Sequence, residues 1–198
     1  MKKLIYILLF LPSLVMGQTV IDSYTGALDF DQSLYAGSTY VFGQCFTNTS
    51  TSTLGSATFK LKKVGTPTGS GYAYVYAITG TYGTSGRGTG SPIATSDAFD
   101  VSTLTTGYVD ITFTFSGANQ ITLSASTYYV ITVGSNNGNS SNYVHVRYAA
   151  FNSPTHSGNQ CTYNGSTWSY QGSRDGYFYV RTTAPVGTNK NIFMGTNF

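Results

Sequence analysis

From Thr39 onward, apolar and polar residues alternate in short runs, and a period of two commits a chain to strands with one buried and one wet face. Phe59 and Leu61 alternate with Lys60 and Lys62, while Val109, Ile111, Phe113 and Phe115 alternate with Asp110, Thr112 and Thr114. The same spacing aligns Tyr129 with Ile131 and Val133, Val144 with Val146 and Tyr148, and Phe178 with Val180. A helix cannot bury such a set, because its apolar stripe recurs at every third or fourth residue. Five half-buried strands describe an all-β, antiparallel two-sheet β-sandwich better than a barrel with a polar lumen. The run 72–78 differs: Tyr72, Tyr74 and Tyr76 alternate with Ala73, Val75 and Ala77, so that strand is either central or presents a tyrosine row outward.

Composition closes the alternatives. The 198 residues include no glutamate but 23 glycines, 17 tyrosines and 12 phenylalanines, which favours strands and turns over helices. Only 9% of residues are charged, against about 25% in an ordinary soluble domain. The surface is therefore built from Ser, Thr, Asn, Gly and Tyr. Between the alternating runs lie turn clusters at 65–69, 80–92, 134–142 and Asn164-Gly165, the last a hairpin signal. The segment 80–90 reads as a flexible surface loop, since it lacks the spacing and context of a phosphate loop.

The N-terminus has the form of an export signal over residues 1–17: Lys2 and Lys3, an apolar run from Leu4 to Met16, then Gly17. The expected product is secreted to the extracellular surface without a transmembrane anchor. A sandwich domain follows over 18–184, and 185–198 is a tail or last strand. Without Lys2 and Lys3, eight basic residues face seven acidic ones, which gives no electrostatic case for a nucleic-acid partner. In an oxidising compartment Cys45 and Cys161 are candidates for a disulfide contributing about 4 to 5 kcal/mol by chain entropy; the alternative is two unpaired thiols.

A resemblance extends over roughly residues 44–181. It rests on Leu61-Lys62-Lys63-Val64-Gly65-Thr66-Pro67-Thr68-Gly69, Tyr74-Val75-Tyr76-Ala77 and Gly90-Ser91-Pro92-Ile93-Ala94-Thr95-Ser96. Asp100-Val101-Ser102-Thr103-Leu104-Thr105-Thr106 and Leu123-Ser124-Ala125-Ser126-Thr127-Tyr128-Tyr129-Val130 extend it. With these motifs the chain resembles the jelly-roll, galactose-binding-like modules of bacterial surface proteins and phage tail proteins. The resemblance implies a jelly-roll-like sandwich that binds glycans or decorates a larger assembly, and it brings no catalytic motif.

The residues themselves give little for catalysis. Asp29 and Asp31 are the only close acidic pair, a weak candidate for Ca²⁺, which needs six to eight oxygens. A serine triad would have to use His145, on an exposed polar face, or His156, in a surface loop; no GxSxG elbow is present. Aromatic residues are the better lead. Tyr163, the only tryptophan Trp168, and Tyr170 immediately precede a polar loop carrying Arg174 and Asp175, so ring faces and hydrogen-bonding groups coincide as a sugar site requires. The expected function is non-enzymatic surface recognition or adhesion, with a glycan as ligand. The alternative is a structural subunit of an extracellular filament, surface layer or phage tail that partners copies of itself.

Overall fold

The computed structural model describes residues 17–135, 137–149 and 156–184. The expected signal segment, apart from Gly17, and the expected tail lie outside them. The chain forms two antiparallel sheets. In the first, β4 (Ser52–Val64) is the spine: β14 (Phe178–Thr182) and β11 (Tyr143–Tyr148) share one of its edges, and β8 (Val109–Thr114) takes the other. β1 (Val20–Tyr24) extends this sheet beyond β14 and β2 (Phe30–Leu34) beyond β11. The second sheet runs β13 (Trp168–Gln171), β12 (Gln160–Tyr163), β3 (Val41–Asn48), β10 (Thr127–Gly134), β5 (Ser70–Thr79), β6 (Arg87–Thr95), and two two-residue strands complete the sheets, β7 (Phe99–Asp100) on β5 and β9 (Thr122–Leu123) on β4.

The core lies between the sheets, where the period of two places it. Phe42 and Phe46, Val75 and Ile131 come from the second sheet; Phe59, Leu61, Phe113, Val146 and Phe178 come from the first. Each large side chain removed from water contributes about 1.5 to 3 kcal/mol. Every apolar series read from the alternation joins this core, with Val109 and Ile111 packed at its margin. The fold is thus an all-β, antiparallel two-sheet β-sandwich.

β5 is both things its pattern allowed. It sits between β10 and β6, buries Ala73 and Val75, and turns Tyr72, Tyr74 and Tyr76 to the outer face. The second sheet also curls, bringing its rim strands β6 and β13 together over a smaller outer cluster of Cys45, Tyr76, Val130 and Cys161, with Trp168 against it. Here the reading of 80–90 as a loop is corrected, because β6 starts at Arg87 inside that segment. Gly88 is required by packing: a Cβ there would lie 2.5 Å from the Trp168 ring.

The expected Cys45–Cys161 disulfide is not formed; both thiols are free and buried. The β3–β12 register explains this, since Cys161 pairs with Gly43 and the Cys45 N–H donates to the Asn159 carbonyl at 2.9 Å. The cysteines are diagonal neighbours, whose α-carbons stand about 7 to 8 Å apart in a ladder, outside unstrained disulfide reach. Burial, then the neighbouring Cys45, pushes the Cys161 thiol well above its ordinary range.

Candidate functional site

Strand alternation sorts the five residues expected to form a site into two groups. Tyr163 on β12 pairs with Trp168 on β13 across the hairpin, and Tyr170 follows on the same face. Asn164 holds the turn, its Oδ1 accepting the N–H groups of Ser166 and Thr167 at 3.0 and 2.8 Å. Arg174 and Asp175 do not join them. Asp175 is fully buried, its carboxylate accepting from Gln44 Nε2 at 2.9 Å and from the His156 backbone N–H at 3.2 Å. The Arg174 guanidinium lies 5.3 Å from the ring of Tyr148, a core residue.

What assembles instead is a continuous aromatic row on the outer face of the second sheet. Ring centroids follow one another from Tyr72 to Tyr74 at 6.0 Å, to Tyr76 at 6.2 Å, to Trp168 at 5.2 Å and to Tyr163 at 5.1 Å. Tyr40, Tyr72, Tyr74, Tyr76 and Tyr163 line an open groove of about 300 Å³. Gly134 opens its floor, since a Cβ there would press on the Tyr74 ring at 3.1 Å. Burial, then Tyr74 and Tyr163, pushes the Tyr76 hydroxyl up to about 12, and burial raises its neighbour Tyr74 as well. At the far end of the same face Tyr82 stacks on Tyr128, with centroids 4.2 Å apart. The tyrosine alternation in 72–76 was the sequence signal for this groove; its convergence with Trp168 depends on the curl.

The outer face of the first sheet has different chemistry. Lys60 lies over Tyr177, Lys62 and Arg147 over Tyr108, and Arg181 over Tyr179, at 4.1 to 4.6 Å. Asp31 stands among them, 3.0 Å from Arg147 and 3.5 Å from Lys62. Burial raises its carboxyl, but the Tyr108 hydroxyl and the two cations outweigh that and hold it below the ordinary range. Asp29 is exposed outside β2, and no group of three described His, Cys, Asp or Glu side chains could hold a metal ion.

His145 lies with Tyr143 and Arg147 on the polar outer face of β11, as read from the sequence, but half-buried there; His156 is placed differently from its reading. His145 faces Ser33 Oγ at 2.9 Å through Nε2, and its Nδ1 lies 3.7 Å from Asp31. Those are the residue types of a hydrolytic triad, missed in the sequence because Asp31 and Ser33 sit on β2 and His145 across the ladder. Two features weaken it: Asp31 is committed to Arg147 and Lys62, and 3.7 Å is too long to orient the imidazole by a hydrogen bond. His156 is not a surface loop residue. Its side chain is only 7% exposed; Nδ1 accepts the Gly158 N–H, which places the ring proton on Nε2, 3.1 Å from Asp22. It is a buried tie between β1 and the segment leading to β12.

The fold and the groove define a two-sheet β-sandwich with an aromatic outer face. Compared with protein-family models, curated proteins and solved structures, the chain matches none of them.

Proposed function

We propose that this is a secreted, non-enzymatic recognition protein that binds a glycan in the groove of the second sheet. The observation that carries the reading is the row of five rings, Tyr72 to Tyr163, running into an open groove of a size at the small end of ligand sites. A sugar ring offers C–H groups to aromatic faces, and its hydroxyls find phenolic and serine hydroxyls along the same wall.

A glycan array probed with the mature chain and with Tyr72→Ala tests it. Tyr72 lines the groove and is half-buried, so its loss should abolish retention with little change in melting. Retention unchanged in that variant would remove the groove from the account. Trp168→Ala is the poorer probe, because Trp168 also packs against the second cluster. The absence of enzymatic activity has its own test: a fluorophosphonate should not label Ser33, and labelling lost in His145→Ala would overturn it.

The second reading, a self-assembling structural subunit, draws on the rims of the first sheet. Its short terminal strands β1 and β2 carry the exposed apolar residues Val20 and Phe30. Unpaired edges of this kind template strand addition. Light scattering over a concentration series decides: a monomer throughout excludes assembly, and growth into regular species supports it.

A further inference from the structure

Charge is divided between the two sheets. The strands β1, β2, β4, β8, β11 and β14 contain Lys60, Lys62, Lys63, Arg147 and Arg181 with Asp22, Asp31 and Asp110. Six strands of the second sheet, from β13 to β6, contain one charged residue, Arg87, and the two-residue β7 adds an acid, Asp100, which pairs with Ser70 at the groove. Arg87 does not line the groove; it donates to the Ser85 carbonyl at 3.1 Å and lies over Tyr170. The groove therefore offers phenols, serines and backbone, with no cation to receive an anion.

On the reading that the groove binds glycan, we propose that its ligand is an uncharged polysaccharide and that polymers bearing carboxylate, sulfate or phosphate are excluded from it. An aromatic face carries the negative part of the ring quadrupole, so it attracts the C–H side of a sugar and repels an anion laid against it. An anion pressed into the groove would lose hydration without gaining a counter-charge. Of the cations on the other sheet's strands, Lys60, Lys62, Arg147 and Arg181 are ring-stacked on its outer face, and Lys63 donates to the Ser102 carbonyl at 2.7 Å.

Affinity electrophoresis of the mature chain tests this, with a neutral β-glucan, a mannan and a galactan against alginate, polygalacturonate and heparin, each at about 50 mM and about 500 mM salt. We expect a neutral polymer to retard the wild type almost equally at both salt concentrations, and Tyr74→Ala to weaken that retardation about tenfold or more. Tyr72→Ala, at a half-buried position in the same row, repeats the comparison should Tyr74→Ala fail to fold. Acidic polymers that bind only at low salt, and equally in both tyrosine variants, would agree with exclusion from the groove. An acidic polymer whose binding is lost in the tyrosine variants overturns the proposal. If no polymer of either class retards the wild type, the glycan reading itself fails.

Discussion

Tyr76 and Trp168 meet edge to face, ring centroids 5.2 Å apart and planes at 78°, although one belongs to β5 and the other to the rim strand β13. Three strands separate them in the order of the sheet, so the contact exists only because the sheet curls. The absent side chain of Gly88 is what admits the indole.

Gly88→Ala should therefore act through Trp168. The added methyl would lie 2.5 Å from a ring carbon, close enough to displace the ring or bend β6, at a cost of about 1 to 3 kcal/mol. Urea denaturation should show that loss, and the fluorescence of the only tryptophan should shift to longer wavelength as the ring moves toward water.

Gln44 is the polar keystone of the interior. Fully buried, it donates to Asp175 at 2.9 Å and accepts the Gly176 N–H at 2.8 Å. Gln44→Leu leaves both groups without that partner, so stability should fall by about 2 to 4 kcal/mol, more than a surface substitution costs. Chemical denaturation of the variant beside the wild type measures it.

The carboxyls at Asp31 and Asp110 sit below their ordinary value of 3.8 in the folded chain, Asp110 because Lys60 and Tyr177 outweigh the effect of its burial. Their contribution is complete above 3.8 and is lost as pH falls through the lowered folded values. Asp175 has the opposite sign: burial raises it, and stability declines as pH rises from 3.8 through the raised value. Asp31→Asn should lower stability at neutral pH and flatten its loss on acidification, read from denaturation midpoints between about pH 2 and pH 7.

The thiols give a direct count. With Cys45 and Cys161 both free and buried, a thiol reagent should find almost nothing in the native protein and two equivalents after denaturation without reductant. Zero equivalents after denaturation would mean that a disulfide forms despite the diagonal register.

The sandwich was legible because local alternation and core placement are one physical fact: a residue on the apolar side of a strand has only one direction in which to leave water. Phe59, Phe113, Ile131 and Phe178 went where that rule sends them. Site residues were legible only in part. Tyr163, Trp168 and Tyr170 stay together because a hairpin is local. Asp175, five residues past Tyr170, was misplaced because burial depended on a partner, Gln44, from a distant strand.

The sequence by itself determined the class of fold, the tyrosine alternation of β5 and the hairpin at Asn164-Gly165, since each is written in a period of two or in turn chemistry within a few residues. Tertiary structure decided the rest: the diagonal offset that keeps Cys45 and Cys161 apart as free thiols, the Ser33–His145 pair, and the curl that carries Trp168 onto Tyr76 and Gly88. These follow from register between strands and from the twist of a whole sheet, which sum contributions from residues far apart in the chain.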